Sequence, residues 1–127
     1  MGVKYLSDEW AKAVTEAVNQ SDTFKQQASG KTAKVQNVVT APDGEKKYFF
    51  KVENGQAEVS AGEIPDAEAT LTTDYETSTD LSKGELNGTA AYMSGKLKIN
   101  GDLMKLMQLQ GMFNTLPEAV KGIEVEY

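Results

Sequence analysis

The chain has 127 residues and contains no Cys, no His and no Arg, so its thirteen positive charges are all Lys, set against nineteen Asp plus Glu for a formal net charge of −6. Disulfides, thiolate nucleophiles, Cys/His zinc sites, imidazole bases and Ser-His-Asp triads are excluded. Acidity without a basic stripe argues against nucleic acid as a partner, and the length suits one domain, residues 1–127, with a real core.

The opening MGVKYLSDEW lacks the basic-then-apolar order of a secretion signal, and no apolar run approaches the roughly 20 residues of a membrane span. A cytoplasmic protein with at most brief membrane contact is expected. Gly2 suits N-myristoylation, but Leu6 stands where that signal requires Ser or Thr. Asn19-Gln20-Ser21 and Asn87-Gly88-Thr89 fit the glycosylation pattern by chance alone in a chain read as unsecreted.

Ser7 predicts a helix cap, with Asp8 and Glu9 in the first turn and Trp10, Ala13, Val14, Ala17 and Val18 on one face. A short second helix is predicted from Ser21 to Ala28, presenting Phe24 and stopped by Gly30. From Lys31 the period becomes two: Ala33, Val35 and Val39, then Tyr48, Phe50 and Val52, then Ala57 and Val59 define three strands. Pro42-Asp43-Gly44 and Asn54-Gly55 supply tight turns, so an antiparallel meander follows.

Ile64-Pro65-Asp66 interrupts the chain before a fourth strand through Ala67, Ala69, Leu71 and Thr73. Asp74 caps a helix to about Leu81, ended by Gly84, and a helical turn spans Thr89 to Met93. Lys96 to Asn100 forms a fifth strand with Leu97 and Ile99 inward, and Asp102 opens a last helix. The expected fold is α+β: a five-stranded antiparallel sheet with helices over one face.

The last helix, Leu103 to Leu116, carries more apolar surface than one buried stripe needs. At about 100° per residue, Leu103, Met104, Leu106, Met107 and Phe113 cover half the circumference, while Leu109, Met112 and Leu116 fall on the other half. A sheet covers only one half, so a second apolar neighbour is expected: a lipid, the first helix, another subunit or a membrane surface. Three Met within nine residues suit an exchangeable apolar partner. Gln110 and Asn114 project into the wider arc, where a polar amide needs a hydrogen-bond partner.

Ala67-Glu68-Ala69-Thr70-Leu71-Thr72-Thr73-Asp74-Tyr75, then Gly84, then Ala90-Ala91-Tyr92-Met93-Ser94-Gly95-Lys96-Leu97-Lys98-Ile99-Asn100-Gly101-Asp102 closely resembles the sterol carrier protein 2 family of non-specific lipid-transfer proteins. The resemblance implies an apolar tunnel between sheet and helices for a fatty acid, fatty acyl-CoA, sterol or phospholipid, with carriage and no catalysis. It also implies that the terminal helix borders the tunnel, and that Gln110, in Met107-Gln108-Leu109-Gln110, is a polar residue near the ligand. Thr77, Ser78, Thr79 and Asp80 depart from the family's bulky aliphatics and predict a wetter or shorter inner face.

The expected lipid-lining set is Trp10, Val14, Phe24, Phe50, Leu103, Met104, Leu106, Met107, Gln110, Met112 and Phe113. No cofactor or metal is expected. Asp43 with Glu45, and Asp66 with Glu68, read as solvated turn chemistry, and Lys96 and Lys98 as a solubilising outer face. The rival expectation is an interaction or homodimerisation module using Leu109, Met112 and Leu116. Monomer and homodimer both remain open, and a base such as Tyr75 inside the cavity is a remote third reading. Ile123, Val125 and Tyr127 alternate as an edge strand does, able to close the tunnel mouth or pair with a second chain.

Overall fold

A computed structural model describes residues 2–86 and 88–126. Asn87 of the predicted sequon and Tyr127 of the predicted tail strand lie outside the described residues, as do the side chains of Thr89 and Gln110. The order is β1 (Val3–Lys4), α1 (Asp8–Gln20), α2 (Asp22–Ala28), β2 (Ala33–Ala41), β3 (Gly44–Glu53), β4 (Gln56–Ala61), β5 (Ala69–Asp74), α3 (Tyr75–Lys83), α4 (Gly88–Met93), β6 (Lys98–Gly101), α5 (Leu103–Gln108), α6 (Gln110–Phe113), α7 (Leu116–Val120) and β7 (Val125–Glu126).

The caps are the predicted ones. Ser7 Oγ accepts from the Trp10 amide at 3.1 Å, Asp74 Oδ1 from Thr77 at 2.7 Å, and Asp102 Oδ1 from Lys105 at 3.0 Å. Each satisfies an amide that the first helical turn leaves without an intrahelical acceptor. Gly84 ends α3 at φ 77°, the left-handed conformation that glycine adopts without steric penalty.

The five strands lie in the order β4-β3-β2-β5-β6. Three pairings are antiparallel, but β2 and β5 run parallel, with Val35 opposite Ala69 and Val39 opposite Thr73. The wholly antiparallel sheet expected from the sequence is corrected on this point. After the meander the chain returns to the far edge of β2 through residues 62–68, and Gln36 fastens that return. Its Nε2 donates to the Gly62 and Tyr48 carbonyls at 3.0 and 3.1 Å, and its Oε1 accepts from the Ile64 amide at 2.9 Å. Gln36 is buried, so these bonds also satisfy an amide removed from water.

Helix α1 lies along the outer edge of β4. Thr15 Oγ1 accepts from the Val59 amide and donates to the Ala11 carbonyl at 2.8 Å, and Asn19 accepts from the Ala57 amide while donating to the Ala57 carbonyl. A one-turn step on the helix matches a two-residue step on the strand. The edge is thereby occupied, which removes a template for pairing with another chain.

The main core joins Trp10, Val18, Phe24, Phe50, Val52, Leu109 and Met112. A smaller cluster joins Val35, Ala69 and Leu106, and Phe113 packs against both. The chain ends form a clasp: β1 and β7 pair in parallel, Val3 opposite Val125, and α7 contacts α1 and α3. The predicted tail strand therefore pairs within the chain, on a partner strand too short for periodicity to reveal.

Candidate functional site

The space between the sheet and the C-terminal helices is an apolar seam. From the sheet, Phe50 meets the ring of Phe24 on α2 edge-on at 6.2 Å between centroids, and that of Phe113 on α6 at 5.8 Å. Met112 and Phe24 are completely buried, and Leu109 nearly so. Leu106 carries the seam onto Val35 and Ala69. Six predicted lining residues, Trp10, Val14, Phe24, Phe50, Met112 and Phe113, thus share one cluster, and Leu106 joins it through Phe113.

Trp10 and Val14 form the α1 side of that cluster. Trp10 packs edge-on with Tyr5 and Tyr48 at 5.1 and 5.2 Å, and Val14 is half-buried on the same helix. Leu103, Met104 and Met107 face solvent, with 36%, 72% and 65% of their surface accessible. The Gln110 side chain lies outside the described atoms, and Asn114 is exposed.

The single helix predicted from Leu103 to Leu116 is three helices, α5, α6 and α7, because the chain leaves helical geometry at Leu109 (φ −94°, ψ 3°) and again around Thr115. The helical spacing itself divides the apolar residues into two arcs. Leu106, Leu109 and Met112 turn inward together, while Leu103, Met104 and Met107 form an outward stripe spanning about 100° of α5. The apolar surplus is real, but it lies on the solvent side. Leu106 is the one buried residue of α5. Otherwise α5 is held at its start, where the Asp102 amide donates to the Glu68 carbonyl at 3.0 Å and Lys105 Nζ lies 3.7 Å from the Glu68 carboxylate.

The polar face of α3 is buried. Thr77, Ser78 and Thr79 are inside, with the Ser78 hydroxyl bonded to the Tyr5 hydroxyl and the Thr79 hydroxyl donating to the Glu76 carbonyl at 2.8 Å. Tyr5 is the partner that sequence reasoning missed, because no local pattern links residues so far apart in the chain. Burial pushes the Tyr48 hydroxyl up to about 12, far from the range of a base working near neutral pH. Two of the four carboxylates weighed as cation ligands have lysine neighbours, Asp43 with Lys46 at 3.4 Å and Glu68 with Lys105 at 3.7 Å.

A sheet covered on one face by short helices, with an aromatic and thioether seam between the layers, is an α+β sandwich. The SCP-2 sterol transfer family matches residues 12–114, and the chain belongs to it. The family is one of lipid-binding and lipid-transfer domains. A crystal structure of sterol carrier protein 2 superposes with a TM-score of 0.80 over 94% of this chain and 99% of the other, at 19% identity. The sterol carrier protein domain 2 of Helicoverpa armigera superposes at 0.63 over 87% of each chain, with 26% identity. Mouse stomatin-like protein 1 is 36% identical over 83 residues, which is 63% of this chain and 20% of the mouse protein. The chain thus spans about a fifth of the length of that relative. Among the described residues, no helix is long and apolar enough to cross a membrane.

Proposed function

We propose that this chain binds one lipid, a fatty acid, fatty acyl-CoA, sterol or phospholipid, by admitting its apolar chain into the seam beneath α5 and α6, and that it carries this cargo without altering it. The carrying observation is the division of α5. Its outer stripe of Leu103, Met104 and Met107 offers apolar surface to solvent at the rim of a seam walled by Phe24, Phe50, Met112 and Phe113. The space between the layers is occupied by Met112 and Phe113, so a ligand enters by parting them. Met112 suits that role because an unbranched thioether repacks readily.

The energetics are adequate. Each methylene moved from water into the seam contributes about 0.8 kcal/mol, so ten contribute about 8 kcal/mol, against association costs of about 4 kcal/mol or more. The net charge of −6 opposes standing attraction to anionic membranes, which favours release after brief contact in the cytoplasm.

Titration of the delipidated chain with a fluorescent long-chain fatty acid should saturate near one equivalent. The double variant M104Q/M107Q, exposed and harmless to packing, should slow uptake several-fold. Non-saturable or absent binding by folded protein rejects the reading. A stable dimer that M104Q/M107Q dissociates, with no lipid bound, selects instead a homodimerisation module built on α5.

A further inference from the structure

Sulfur enters this chain only as thioether, because it has five Met and no Cys. A hydroperoxide that meets the protein finds no thiol, so it acts first on whichever Met sulfurs it can reach. Reach differs sharply among them. Met93, at the end of α4, is 81% exposed, Met104 and Met107 stand on the solvent side of α5, and Met112 is fully buried in the seam. Position then decides what oxidation does. A sulfoxide at Met112 would put a polar group among Phe24, Phe50 and Phe113 and damage the core. A sulfoxide at Met104 or Met107 stands in water, and the one buried residue of α5, Leu106, keeps its contacts. What changes there is the outer stripe, which ceases to be apolar.

We propose that Met104 and Met107 are a reversible oxidation site that sets the rate of lipid entry: a hydroperoxide converts both to the sulfoxide, the rim turns polar, and uptake slows while the fold persists. The effect on uptake rests on the carrier reading above, whereas the oxidation site itself does not. In the step, a sulfur lone pair attacks the terminal peroxide oxygen, and the S–O bond forms as the O–O bond breaks. The departing oxygen takes up the proton and leaves as water or an alcohol, so the thioether loses the electron pair that the peroxide gains. Reversal needs a pair of thiols, which become a disulfide as the sulfoxide oxygen leaves as water. The chain holds no thiol, so a thiol-dependent methionine sulfoxide reductase supplies them.

The full chain is treated with hydrogen peroxide, sampled over time and mapped by peptide mass spectrometry, and its uptake of a fluorescent long-chain fatty acid is measured before and after. The expected result is gain of one oxygen atom at Met93, Met104 and Met107 well before Met112, an unchanged melting temperature, and uptake slowed several-fold. Reductase with dithiothreitol restores the rate. In M104L/M107L, peroxide leaves uptake at that variant's own starting rate, and in M93L it slows uptake as in the parent chain. Oxidation of Met112 as fast as of Met104 and Met107 overturns the proposal. So does equal uptake before and after oxidation, or a peroxide effect that survives in M104L/M107L or vanishes in M93L. Absence of fatty-acid binding by the unoxidised chain rejects the carrier reading and the effect on uptake with it. That result is read before any peroxide is added, so the two failures are distinguishable.

Discussion

Tyr5 joins two parts of the molecule that lie far apart in the chain. Its hydroxyl bonds Ser78 on α3, and its ring packs edge-on against Trp10 at 5.1 Å and Tyr75 at 5.7 Å. Tyr5→Phe keeps both ring contacts and leaves the buried Ser78 hydroxyl without this partner, a loss worth about 1–3 kcal/mol. Urea denaturation should show that lower midpoint with an unchanged slope. Asp74 acts through charge as well as capping. The hydrogen bonds from Thr77 hold its carboxyl below the usual carboxylate range, with Lys96 adding to the effect. A depressed folded-state pKa means the contribution is complete above the unfolded value near 3.8 and is lost as pH falls through the lower folded value. Asp74→Ala should cost about 1 kcal/mol at neutral pH. The penalty should shrink on acidification, which denaturation midpoints at pH 7 and pH 2.5 would reveal.

At the level of elements, the turn between β6 and α5 sets where α5 begins. Gly101 has φ 117°, and a Cβ there would stand 2.5 Å from the Glu68 carbonyl oxygen and 2.8 Å from Ala69 Cα. Backbone cannot yield as a flexible side chain does. Gly101→Ala should therefore disturb the β5–β6 register and the start of α5 together, costing about 2 kcal/mol or more. Amide exchange should rise in β6 and α5 while β2 and β3 stay protected. The elements legible in the sequence were those whose signals are local: caps at Ser7, Asp74 and Asp102, turns at Asp43-Gly44 and Asn54-Gly55, and alternation in the first three strands. Three features escaped because their causes are tertiary. The parallel placement of β5 depends on Gln36 gripping a distant loop, the break at Leu109 on which side chains the core accepts, and β1 on a partner at the other end of the chain. Site residues divide the same way. Phe24, Phe50 and Met112 follow from hydrophobic periodicity, whereas the exposure of Met104 and Met107 depends on which arc of α5 the core covers, a tertiary choice that periodicity does not register.

For the whole molecule, the side chains proposed to meet the cargo are also those that hold the fold together. Phe24, Phe50, Met112 and Phe113 hold the helical layer to the sheet, and in the proposed mechanism they part around the cargo. Ligand should therefore raise the melting temperature, since it binds the folded chain and replaces the contacts it displaces. The hydrogen bonds between α1 and β4 involve neither α5 nor α6, so parting the seam leaves them in place. The most direct test is methyl NMR of the full chain labelled at its five methionines, with one equivalent of a long-chain fatty acid added. The account predicts that Met112, fully buried in the unliganded protein, shifts strongly, with smaller shifts at Met104 and Met107. Tight binding that leaves the Met112 methyl signal where it was would contradict it.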